Sequence, residues 1–165
     1  MDVRVTEKTQ DPDITVVICT HNRSDLLQTA IQSLVDQDCP KEDFEVLVED
    51  NASTDQTKVV VERYRNVGNI RYLLEPEIGL CIARNSGWRN ARGNYVAYLD
   101  DDAIASPGWI AAISGSFARQ ANVGVVGGRT DPIWEEARPG WLSDELALGL
   151  TIVDWTDQER IIPDL

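Results

Sequence analysis

Basic side chains are scarce in this chain, with 15 Lys and Arg against 28 Asp and Glu. The formal net charge of -13 excludes a general nucleic-acid surface, which needs a basic face to neutralise phosphates. It leaves open a nucleotide held in one local pocket, where a cation carries the attraction. Cysteine is sparse too. Cys19, Cys39 and Cys81 are odd in number, far apart and outside any CxxC or Cys/His ligand pattern, so no disulfide framework and a reducing compartment are expected. Cys19, inside "ITVVICT", reads as a small core hydrophobe. No apolar run is long enough to cross a bilayer and no signal-peptide pattern opens the chain. The expected location is therefore cytoplasmic, or peripheral at the inner face of a membrane, where the sequons at Asn22 and Asn51 go unused. The phosphate-binding signature GxxxxGK[ST] is missing, which excludes a P-loop. GxGxxG is missing after the first strand, which argues against a dinucleotide site.

What is present is an alternation. "ITVVICT" (14–20) is a nearly continuous β-branched run, as in a strand covered on both faces. "SDLLQTAIQSLVDQ" (24–37) places Leu27, Ala30, Ile31, Leu34 and Val35 at helical spacing behind a Ser24 cap. "FEVLVED" (44–50) is a second strand. The helix after it opens with Ser53 and Gln56 in capping-box register and stripes Thr57, Val60, Val61 and Tyr64 on one face. "NIRYLLE" (69–75) is a third strand. "GLCIARNSGWRNARG" (79–93) is a helix with Gly87 as a weak point. "YVAYL" is a fourth strand, and "PGWIAAISGSFARQ" a fourth helix capped by Ser106 with Pro107 at its first position. "VGVVGG" closes as a fifth strand. The alternation predicts an α/β, Rossmann-like sandwich with a mostly parallel central sheet and helices on both faces. The expected organisation is a loose leader over 1–12, the core over 13–130, and a Trp- and Pro-rich extension over 131–165.

Ligands of open parallel sheets bind outside the carboxyl ends of the strands. Polar clusters collect there: "THNR" after strand one, "EDNASTD" after strand two, "DDD" after strand four. Asp100, Asp101 and Asp102 repel one another and resist burial. A turn open to water makes them tolerable, and so does a divalent cation. With no glycine cradle, carboxylates holding Mg²⁺ or Mn²⁺ are another way to neutralise a bound diphosphate. Ser24 and Ser53 have no His or Asp partner suited to a nucleophile, and capping accounts for both.

"ITVVICTHNR", "VLVEDNASTD", "GLCIARNSGW" and "YLDDDAIASPGWI" resemble, in order and spacing, the motifs of family 2 glycosyltransferases of the GT-A fold, over about residues 13–130. The resemblance implies a metal-dependent, inverting transfer of a sugar from a nucleoside diphosphate sugar, UDP-sugar first, to an acceptor hydroxyl in polysaccharide or glycoconjugate synthesis. It implies that Thr20 and the His21, Asn22, Arg23 loop lie against base and ribose. It sets Asp50 to accept a hydrogen bond from the base, Asp101 to face the ribose, Asp100 to support it and Asp102 to bind the metal. Arg84 and Asn85 match the family's "ARN" segment near the diphosphate and donor sugar, and a guanidinium suits phosphate oxygens. His21, the only histidine, stands where the family more often has Tyr and is read as packing on the nucleotide.

Such a reaction also needs a carboxylate to take the acceptor's proton. In the family it lies well beyond the acidic trio, so the base is expected past residue 165. Asp144 and Glu145 are the nearby candidates, equally explained by a helix start. The extension reads as the start of an acceptor-side region. Its Trp134, Trp141 and Trp155 read as core or interface packing, as platforms for a saccharide acceptor, or as a patch for self-association. Two other functions stay open: an inactive sugar-nucleotide-binding module and a sugar nucleotidyltransferase. The latter wants a Gly-rich basic loop that "CTHNRSD" lacks.

Overall fold

The computed structural model describes residues 11–120, 122–147 and 149. The chain divides into two compact units, Met1–Ala121 and Asn122–Leu165. Most of the expected leader and Trp155 lie outside the described residues.

The first unit follows β1 (Ile14–Thr20), α1 (Ser24–Val35), β2 (Phe44–Asp50), α2 (Thr57–Tyr64), β3 (Ile70–Leu74), α3 (Leu80–Asn90), β4 (Tyr95–Tyr98) and α4 (Trp109–Arg119). The four strands form one sheet in the order β3-β2-β1-β4, and every pairing is parallel. Parallel neighbours need crossover connections, which the intervening helices supply. β1 and β2 stand in the middle, which is why their residues run apolar without a clean alternation.

The sheet's two faces differ. Ile14, Val16 and Ile18 of β1, Phe44, Val46 and Val48 of β2 and Ile70 of β3 join Leu27, Ala30, Ile31 and Leu34 of α1 and Val60 and Val61 of α2 in one buried core, together with Ile110 of α4. Strand period two sends Thr15, Val17, Cys19, Glu45, Leu47 and Glu49 to the opposite face. α3 packs there through Gly87, where a Cβ would stand 2.4 Å from Val17 Cγ1. The residue that weakens the helical pattern is the one that lets helix and strand touch. Gly93 is as constrained, since its Cβ would meet the Thr15 backbone nitrogen at 2.6 Å.

Three helix starts differ from expectation. Ser24 is inside α1 rather than capping it, and Ser53 and Gln56 form no capping box. One carboxylate, Asp55, does both jobs: Oδ2 accepts from the Ser24 amide at 2.9 Å and Oδ1 from the Thr57 amide at 3.0 Å. α4 begins at Trp109, after a turn over Pro107 and Gly108, not at Pro107. "VGVVGG", expected as a fifth strand, forms no strand. Its Val125 is 88% exposed, and three glycines in six residues weaken any ladder.

The second unit has one described helix, α5 (Asp144–Ala147). Arg138 lies over the Trp134 ring, 6.0 Å from its centroid, and pairs with Asp144 at 2.8 Å. Trp141 is 75% exposed.

Candidate functional site

The carboxyl ends of the strands open into a cleft of about 470 Å³. Its walls come from three places. Cys19 and Thr20 end β1, and His21 and Arg23 follow it; Asn51 leaves β2, facing Ile78, Gly79, Leu80, Ala83 and Arg84 from the β3–α3 corner; Asp100, Asp101 and Asp102 follow β4.

Register explains why the acids meet the first loop. Val17 pairs with Tyr98, so three residues on, Asp101 comes level with Thr20. Thr20 Oγ1 donates to Asp101 Oδ2 at 2.7 Å, and Arg23 Nη1 reaches Asp101 Oδ1 at 2.8 Å. Both oxygens of the buried Asp101 are thereby answered. Arg23 Nη2 donates to Asp102 Oδ2 at 3.0 Å, and Arg84 Nη2 to Asp100 Oδ1 at 3.3 Å. Two guanidiniums thus face three carboxylates. Asp101, then Asp102, raises the pKa of Arg23 further. Asp102 and Asp100 stay open to water, their side chains 47% and 70% exposed.

His21 Nδ1 lies 2.6 Å from the Asn51 carbonyl, and its Nε2 lies 3.1 Å from Asn22 Nδ2. A carbonyl only accepts, so Nδ1 carries the hydrogen and Nε2 takes one from Asn22. With both ring nitrogens committed, His21 acts as a wall. Asn22 Oδ1 accepts from the Thr54 amide at 2.7 Å, which ties the loops after β1 and β2 together. Asn22 and Ala52 both adopt positive φ, 54° and 58°; for Ala52 that conformation is strained, a feature that gathers at functional sites.

Asp50 is 2% exposed. Its Oδ1 accepts from the Ser53 amide at 2.8 Å and its Oδ2 from Tyr72 Oη at 2.7 Å. Burial first, then this bond, raises the Tyr72 pKa. Asp50 is not among the cleft-lining residues; neither are Asn22 and Asn85. Asp55 is exposed and lies outside the cleft lining. What burial its carboxyl has works against its charge, but hydrogen bonds from Thr57 and Ser24 prevail and bring its pKa to about 2. Asp144 and Glu145 head α5, with Asp144 held by Arg138.

Cys19 corrects its core reading, because it lines the cleft and is only partly buried. Burial first, then the charge of Glu49, raises its thiol to about 12, so it meets a ligand as a neutral group. Asn51, the 78–80 corner and Ala83 escaped sequence reasoning. Asn51 stood in the quoted "EDNASTD", but nothing in spacing told a cleft residue from a turn residue. Among the described residues no group of three or more His, Cys, Asp or Glu encloses a metal position, and no helix is long and apolar enough to cross a membrane.

The all-parallel α/β sheet with a polar, acid-bearing cleft at its carboxyl edge matches the GT-A architecture of solved glycosyltransferases. Residues 15–162 match Glycosyl transferase family 2, and the chain belongs to that family. It is 37% identical over 117 residues to validoxylamine A glucosyltransferase of Streptomyces hygroscopicus subsp. jinggangensis, a match over 70% of this chain and 28% of that protein. It is 34% identical over 118 residues to chondroitin synthase of Escherichia coli, covering 70% of this chain and 17% of the synthase. The matched part thus spans about a quarter or less of these relatives. Among solved structures, S. aureus TarS in complex with UDP superposes with a TM-score of 0.64 at 29% identity, over 73% of this chain and 38% of that one. Mannosyltransferase PcManGT from Pyrobaculum calidifontis, in complex with GDP-Man and Mn²⁺, gives 0.61 at 30% identity, over 67% and 33%.

Proposed function

We propose that this chain is the donor-binding part of a metal-dependent, inverting glycosyltransferase that moves a sugar from a nucleoside diphosphate sugar, UDP-sugar first, to a saccharide or glycoconjugate hydroxyl. The acidic trio facing two arginines in the cleft carries the reading. Relatives named as glycosyltransferases, one solved with UDP and another with GDP-Man and Mn²⁺, support it.

Asp102 and Asp100 fit a hard cation. Mg²⁺ is commonly held by one or two carboxylates with phosphate oxygens and water completing the shell, and these two are exposed oxygen donors with one guanidinium contact each. Such an ion, when bound, stabilises the charge of the departing diphosphate. Arg84 offers a planar cation to phosphate oxygens. Thr20 and Arg23 hold Asp101 in one rotamer, so the carboxylate facing the ribose is set before the donor arrives. His21 closes the wall against which the nucleotide lies, and Asp50 braces that loop through Ser53, whose hydroxyl accepts from the Asn22 amide. The trio serves the leaving group's side, so the carboxylate that takes the acceptor's proton comes from outside it.

Calorimetry tests this directly. UDP binding by the parent chain is expected to require Mn²⁺ or Mg²⁺. Asp102→Asn is expected to weaken metal-dependent UDP binding at least about tenfold, the scale of one lost charge-assisted contact. Binding that is indifferent to metal and to this substitution refutes the reading.

A further inference from the structure

We infer that Asn51 is a positioning residue that clamps two walls of the cleft, the exit of β1 and the β3–α3 corner, and sets that corner for ligand. Asn51 is only 5% exposed and every polar group it owns is spoken for. Its amide donates to the Thr20 carbonyl at 2.9 Å, and its carbonyl accepts from His21 Nδ1, which binds the exit of β2 to the exit of β1. The side chain reaches the other way. Nδ2 donates to the Glu77 carbonyl at 2.7 Å and the Glu75 carbonyl at 3.3 Å, and Oδ1 accepts from the Gly79 amide at 2.7 Å.

These contacts fall on a segment with few others of its kind. Residues 75–79 run between β3 and α3 without regular structure, and Ile78 and Leu80 are 68% and 57% exposed. Burial therefore does little to hold Ile78, Gly79 and Leu80 where they line the cleft. A primary amide is the group that answers both needs at once, offering donors to two carbonyls and an acceptor to an amide. Aspartate keeps the acceptor and loses the donors. Alanine loses both. The strained φ of Ala52 next door fits a backbone turned to aim this side chain.

The ligand arm of the test rests on the nucleotide-binding reading; the structural arm does not. Amide hydrogen exchange and UDP affinity with Mn²⁺ would be measured on the parent chain, Asn51→Ala and Asn51→Asp. In Asn51→Ala the Gly79 amide is expected to exchange at least tenfold faster while β1 and β2 amides keep their protection, and UDP affinity falls about tenfold. In Asn51→Asp the Gly79 amide regains protection, but affinity stays reduced because the Glu75 and Glu77 carbonyls lose their donor. Unchanged Gly79 exchange in Asn51→Ala overturns the clamp, and so does uniform loss of protection across the sheet. If Asn51→Ala does not fold, Asn51→Asp decides: parental UDP affinity overturns the inference. A parent chain that binds no UDP sinks the proposed function, and Gly79 exchange still judges the clamp.

Discussion

Glu45 and Glu49 sit four residues apart along one side of β2, both with no exposed surface, yet their surroundings differ. Glu45 accepts from Thr15 Oγ1 at 2.8 Å, the Arg92 amide at 3.0 Å and Arg71 Nη1 at 3.0 Å. Neither oxygen of Glu49 has a hydrogen-bond partner; Ser86 on α3 stands near enough to favour its charge. Burial raises the Glu49 pKa above the ordinary 4.5, and the charges of Glu75 and Asp50 add to the rise. The fold therefore tolerates the protonated acid and opposes the charged one. Its stability is whole below the ordinary value and declines as pH climbs from there through the raised value. Glu49→Gln removes that decline. Its stability relative to the parent is expected to grow between pH 4.5 and neutrality by about 1.4 kcal/mol for each unit of the rise. Urea melts at the two pH values check this, and a constant difference contradicts it. The pairing of Glu45 and the isolation of Glu49 were both hidden in "FEVLVED", because their partners lie far along the chain.

At the scale of elements, α3 is the instructive case. Its amphipathic pattern is weak and its centre is a glycine, so local propensity argues against it. Tertiary contact decides otherwise: Gly87 rests on Val17, and the helix covers the second face of the sheet while delivering Arg84 to the cleft. Gly87→Ala gains helix propensity and loses that contact. The clash at 2.4 Å is expected to win, costing about 1–3 kcal/mol of overpacking and displacing Arg84, which a thermal melt and UDP affinity would read together. A variant as stable as the parent would show that α3 has room to spare. The helix starts carry a related lesson. Ser24 and Ser53 satisfy the sequence rule for caps, but Asp55 caps α1 from 31 residues away, and a rule that looks only at neighbours cannot see it.

Across the whole molecule, the proposed function requires an acidic protein to draw in an acidic ligand. With a net charge of -13, general attraction to a diphosphate is absent, so the proposed function assigns the binding energy to the cleft's arginines and a metal. A ligand that binds only the folded state raises stability by mass action, by about 2.7 kcal/mol at a hundredfold excess over Kd. UDP with Mn²⁺ is therefore expected to raise Tm, while UDP alone leaves it unchanged. Equal shifts from UDP with and without metal would contradict the cooperative arrangement.

The order of strands and helices, the apolar stripes of α1 and α2 and the polar rim were legible because they rest on periodicity and turn chemistry, which neighbouring residues express. The acidic trio was legible as a cluster for the same reason. Folding alone decided which acid is buried, which arginine meets which carboxylate, that Cys19 faces the cleft, and that Asn51 joins its walls. Thr20 and Asp101 meet across 81 residues because parallel register brings strand ends level, and register is a property of the assembled sheet. "VGVVGG" shows the converse: three valines read as a strand from the sequence, but the three glycines among them leave too little side-chain packing to hold a ladder.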